Sequence, residues 1–180
     1  MEIKWSNEFN LLNDQWASIY TAKIKNAFDK QIAEFNFKLL HNQLNCNFKV
    51  NKWNKEVAKH CSSCEQVEYI EHLIFGCADT KSLWVKISEL LKINITWKTI
   101  VVGFFNEFTE TSKIFNNIIS IIGYKICKYK MKCRLQNETV TANALLLFVK
   151  SSLYYYYFVT KGAKSVKSNY DLLKFIAEQL

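Results

Sequence analysis

Cys61-Ser-Ser-Cys64, then seven residues and His72, then four residues and Cys77, form the stretch with the most evident chemistry in this 180-residue chain. Two thiolates three residues apart can grip one ion from a tight knuckle whose backbone N–H groups turn toward the sulfurs. A histidine and a third thiolate then close a tetrahedron. Three thiolates and one imidazole are an ordinary structural zinc set, with no position left for water. The pattern therefore predicts one structural Zn2+ and argues against a catalytic one. On an uninterrupted helix, residues five apart point ~140° away from each other. Gly76 lies between His72 and Cys77, so a helix over about 67–75 that ends there in a left-handed turn is expected to swing Cys77 back. The competing reading is three reduced cysteines and a chance histidine. His60, adjoining Cys61, and Cys46, fifteen residues upstream, are weaker ligand candidates, and Cys127 and Cys133 read as buried thiols.

The second chemistry is charge. There are 23 Lys and one Arg against 16 acids, a formal net charge of +8. That balance favours polyanions, nucleic acid before an anionic membrane. The composition looks like AT-rich coding (17 Asn, no Pro), which discounts the charge as evidence. Lys49, Lys52, Lys55 and Lys59 precede the Cys/His cluster. Lys125, Lys128, Lys130, Lys132 and Arg134 follow on a later helix, interleaved with Tyr124 and Tyr129. All nine are candidate phosphate contacts, with the tyrosines as stacking faces. Set against this is a solvated helix face whose cations favour the C-terminal dipole. A single arginine argues against bidentate base readout, so any binding is expected to have low sequence specificity. His41 reads as a hydrogen-bonded helix histidine. No nucleophile with a base and no Gly-rich phosphate loop stands out, so the chain is not expected to be an enzyme.

These residues need elements to hold them. Periodicity predicts a mainly α fold organised around the small Cys3His knuckle. Helices are expected over about 13–44, where the pattern continues past Asp29 and Lys30, from Thr80 to Leu91, over 111–134, over 142–161 and over 170–180. Residues 42–54 read as a loop or broken helix around Trp53. Residues 94–108 are ambiguous between a strand and a helical turn. Residues 136–141 and the basic stretch 162–168 read as linkers. Four consecutive tyrosines, Tyr154 to Tyr157, point all round a helix, so they read mainly as packing. The organisation expected is one domain over 1–180, with lead-in helices at 13–44, the knuckle and following helix at 45–92, and a basic, aromatic helical tail at 111–180. The apolar runs 114–127 and 145–159 are short and carry lysine, so no membrane span is expected. No secretory leader is evident, which points to an intracellular protein, nucleus or cytoplasm, with reduced thiols.

Several blocks together resemble the zinc-binding region near the C-terminus of non-LTR (LINE-type) retrotransposon reverse transcriptases. They are Trp16-x-x-Ile19-Tyr20, residues Glu34 to Asn42 with Cys46 and Trp53, Glu71-His72-Leu73-Ile74-Phe75-x-Cys77, the pair Leu83-Trp84, and Ile121 to Tyr129. The likeness covers about residues 14–160 and is most specific at the cluster. It implies nucleic-acid contact for the parent protein, and for this piece a nucleic-acid partner is expected, RNA before DNA. It implies no reaction for this piece. The chain's aspartates, Asp14, Asp29, Asp79 and Asp171, include no adjacent pair of the kind a polymerase palm needs to bind metal. The expectation is a non-catalytic post-polymerase region. The alternatives are a structural, protein-interaction module and a decayed element fragment.

Overall fold

The computed structural model describes residues 2–106, 109–162 and 171–180. Among them the secondary structure is helical, and the one strand-like feature is an isolated bridge between His60 and Val67. The mainly α expectation holds. The chain forms two compact units. One comprises Met1–Leu44 and Thr96–Tyr124, the other Asn45–Ile95 and Lys125–Leu180.

The first unit holds α1 (Glu2–Phe9), α2 (Gln15–Tyr20) running into a π-turn (Thr21–Lys25), α3 (Lys30–Leu40), α6 (Trp97–Val102) and the start of α7 (Glu110–Gln136). Asp29 splits the long lead-in pattern by capping α3, its Oδ1 accepting from the Ile32 N–H at 2.8 Å. The ambiguous stretch near residue 100 is helix, started by a capping box between Thr96 and Thr99. Trp5, Ile19, Ile32, Leu39, Ile100 and Ile118 are buried. The indole of Trp5 donates to the Leu40 carbonyl at 2.7 Å, so a bulky aromatic is buried with its polar atom satisfied.

The second unit holds α4 (Asn47–Trp53), a π-turn (His72–Gly76), α5 (Ala78–Leu91), the end of α7, α8 (Ala142–Gly162) and α9 (Asp171–Gln179). The Asn-rich stretch before the cluster is thus partly a helix. The expected linker at 162–168 lies, beyond Gly162, outside the described residues. Helix α8 packs against α9 and α5. Leu83, Trp84 and Ile87 from α5, Leu145, Val149, Leu153 and Tyr156 from α8, and Leu173 and Ile176 from α9 are buried. Of the tyrosine run, Tyr156 and Tyr157 are buried and Tyr155 is exposed, as helical phase requires. Among the described residues, no helix is long and apolar enough to cross a membrane.

Candidate metal centre

Cys61 and Cys64 sit on a tight hairpin turn closed by backbone bonds. Cys61 N–H donates to the Gln66 carbonyl at 2.8 Å and Glu65 N–H donates to the Cys61 carbonyl at 3.0 Å. Glu65 takes the left-handed conformation (φ 60) that lets the chain reverse directly after Cys64. The knuckle inferred from the C-x-x-C spacing is present.

His72 and Cys77 are brought together by a different device from the one expected. Gly76 is not left-handed. Instead, His72–Gly76 is a π-turn, and Cys77 N–H donates to the His72 carbonyl at 3.1 Å. Widening the turn to an i→i+5 bond returns residue i+5 over residue i. The five-residue spacing of the two ligands therefore matches the π-turn itself. Cys77 then stands at the N-cap of α5 in extended conformation (φ −68, ψ 142). A thiolate is favoured there by the N–H groups of the first turn.

The four ligand atoms of Cys61, Cys64, His72 and Cys77 all lie within 4.8 Å of one another. Cys61, His72 and Cys77 are buried, and Cys64 is half-buried. The Cys61 and Cys77 sulfurs are 3.7 Å apart, and Cys64 Sγ is 3.2 Å from His72 Nε2. Tetrahedral zinc with ~2.3 Å bonds to sulfur sets two sulfurs ~3.8 Å apart, so the residues present fit a tetrahedral ion. The electrostatics agree. The hydrogen bond between Cys61 and Cys77 draws the Cys61 thiol down to about 3 against the opposing effect of burial, with help from the Ser63 N–H and Lys130. The same bond, together with burial, pushes Cys77 well up. A metal cation bound by the four ligands would take the place of the thiol protons.

The other candidate ligands lie outside this group. Cys46 precedes α4, and burial raises its thiol. Burial pushes Cys127 up to about 12. Cys133 is also buried. His60 is exposed in the hairpin, its carbonyl accepting from Asn47 Nδ2 at 2.7 Å. His41 is held by Tyr20 Oη at 3.1 Å and the Phe37 carbonyl at 2.8 Å, as expected of a helix histidine.

All nine candidate phosphate contacts belong to the second unit, but they do not present alike. Lys52, Lys55, Lys59, Lys128 and Lys132 are exposed, and Lys49 is half-buried. Lys125 is half-buried, with its ammonium 5.5 Å from the Tyr156 ring centroid. Two expectations need correction. Lys130 is only 3% exposed, and Arg134 donates to Glu68 at 2.9 Å with 18% of its side chain exposed. Neither presents its charge outward, because both sit on the inner side of α7. The tyrosines proposed as stacking faces are packed as well, Tyr124 against Phe35 and Tyr129 against Phe148.

The inward turn of Lys130 had a signal in the sequence. The ladder Ile118, Ile122, Ile126 continues by four to Lys130, and all four are buried. Glu68 carried no such signal. It is buried, and besides Arg134 it accepts from the Asn47 N–H at 2.9 Å, tying the hairpin to the start of α4. Exposed aromatics beside the lysines were also missed. Trp53 is 70% exposed, and Tyr69 is half exposed against Phe48, with ring centroids 4.5 Å apart. Lys52 sits 4.9 Å above the Phe48 ring. Comparison with models of known protein families, with curated proteins and with solved structures finds no match.

Proposed function

We propose that this chain is a non-catalytic zinc module that holds nucleic acid with low sequence specificity, RNA ahead of DNA, as the zinc-binding region of a LINE-type reverse transcriptase. The observation that carries the reading is the coincidence of the Cys3His group with the charge. Residues of the first unit include seven Lys and seven acids, whereas those of the second include 16 Lys and Arg134 against nine acids. The whole net charge of +8 therefore belongs to the unit that holds the ligands. Three thiolates and one imidazole are a donor set that suits zinc and leaves no position for a substrate. Exposed lysines next to Trp53 and Tyr69 are the ingredients of a sequence-tolerant binder, with charge for the backbone and rings for the bases. Two of the blocks that carry the family resemblance, residues 71–77 and Leu83-Trp84, pack on each other within the second unit. Trp84 donates to the Ile74 carbonyl at 2.8 Å, inside the His72–Cys77 motif.

A second reading has its own observation. Leu147, Tyr155, Phe158 and Val159 form an exposed apolar stripe along α8, which suits docking on a protein such as a polymerase core. Salt separates the two readings. Zinc-loaded protein is titrated into labelled structured RNA, single-stranded DNA and duplex DNA, and anisotropy is read. Three to five phosphate contacts predict that affinity falls by roughly 20- to 500-fold between about 50 and about 200 mM salt. Replacing Lys52, Lys55 and Lys59 by Ala should flatten that slope. Absence of binding to all three nucleic acids would remove the nucleic-acid reading and leave the docking one.

A further inference from the structure

We propose that Lys130 is the counter-charge of the metal centre, a buried ammonium on the cavity that Cys61 also lines, which raises the affinity of the four-ligand set for a divalent ion. The inference rests on the metal reading above and goes beyond it by assigning a positioning residue that belongs to none of the four ligands.

Charge counting gives the need. Three thiolates and a neutral imidazole around a divalent ion leave one net negative charge, in a site where three of the four ligands are buried. A buried charge is costly unless a partner of opposite sign is near. Lys130 has the matching problem. It is 3% exposed, and its Nζ has no hydrogen-bond partner. No carboxylate among the described residues forms an ion pair with it. One turn further on, Arg134 has its charge met by Glu68. Lys130 and Cys61 line the same cavity of about 450 Å³, together with His60 and Cys133. The Lys130 charge also favours the thiolate forms of Cys61 and Cys77. The unpaired cation and the surplus negative charge resolve each other. Groups outside the ligand shell of this kind typically change metal affinity by about 10- to 100-fold.

The test uses the full chain as wild type, Lys130→Met and Lys130→Arg. Zinc affinity is measured by competition with a chromophoric chelator, and the sulfur-to-metal bands are recorded with cobalt(II) in place of zinc. The Met variant should bind zinc about 10- to 100-fold more weakly. Its charge-transfer bands should move to longer wavelength, because sulfurs without a neighbouring cation give up electrons more easily. The Arg variant should recover most of the affinity. Wild-type affinity and spectrum in the Met variant would overturn the proposal, as would equal losses in Met and Arg, which would assign the effect to packing. Should the Met variant not fold, as judged by circular dichroism, Lys130→Gln keeps a donor without the charge and is held to the same criteria. A wild-type chain that takes up no zinc would overturn the metal reading and this inference together. Zinc uptake indifferent to residue 130 would remove this inference alone.

Discussion

Lys23 carries its ammonium into the core of the first unit, where it donates to the Ile100 carbonyl at 3.0 Å and to Ser120 Oγ at 2.9 Å. Neither acceptor is charged, and burial pushes the group from its ordinary 10.5 down to about 7. Below pH 7 the folded protein must bury a charged lysine. Between about 7 and 10.5 the folded chain has released a proton that the unfolded chain still holds, so this group makes stability rise with pH across that window. The full effect is at most roughly 5 kcal/mol, at about 1.4 kcal/mol per pH unit. The urea midpoint should be higher at pH 9 than at pH 6.5, and Lys23→Met, which keeps the volume without the charge, should lose that part of the rise. Equal pH dependence in both proteins would refute the assignment. Lys23 and Lys130 share a lesson about legibility. Each stands four residues after a buried isoleucine, Ile19 and Ile126, where the helical ladder reserves an inward place. The phase was readable, but residue type suggested solvent.

Helix ends are where the elements depart most from expectation. With only four glycines and no proline, the chain stops helices in other ways. Asn10, Asn42 and Asn137 take left-handed φ after α1, α3 and α7, and Lys92 does so after α5. At each, the next N–H reaches back to close the helix, as Gln43 does to the Lys38 carbonyl and Ile93 to the Ser88 carbonyl. Asparagine tolerates that conformation better than most residues, so the Asn-rich breaks carried real information. The π-turn at His72–Gly76 did not. Spacing required that the two ligands meet, but a glycine between them pointed to a left-handed stop and not to a widened turn. Gly103 is the position where glycine is obligatory. Its φ is +71, and an added Cβ would lie 2.5 Å from Asn116 Oδ1. That oxygen is fixed, accepting from the Phe104 N–H at 2.8 Å. Gly103→Ala should cost about 2–3 kcal/mol through strained backbone and this clash. A thermal melt should show it as a clear drop in Tm, and an unchanged Tm would mean that the turn after α6 is not held as described.

At the scale of the whole molecule, helical period and ligand spacing made the fold class and the four-residue cluster legible, because both are local. The division of charge was not. By thirds of the sequence the net charges are +3, −2 and +7, which suggests only a basic tail. Grouped by compact unit, the first is neutral and the second carries all of +8, because residues 45–60 join the C-terminal segment. That grouping depends on tertiary contacts between distant segments, which no local pattern encodes. The same contacts decide which cations are spent internally, such as Arg134 on Glu68, and which stay exposed, such as Lys52 and Lys128. The account turns on the Cys61, Cys64, His72 and Cys77 set holding one zinc ion. The most direct measurement is metal stoichiometry by native mass spectrometry on protein produced with zinc, read beside thermal unfolding. One zinc per chain is expected in wild type and in Cys46→Ser and Cys127→Ser. Loss of the ion and a lowered Tm are expected in Cys61→Ser and His72→Ala. A wild-type chain without zinc, or full zinc and an unchanged melt in Cys61→Ser and His72→Ala, would contradict it.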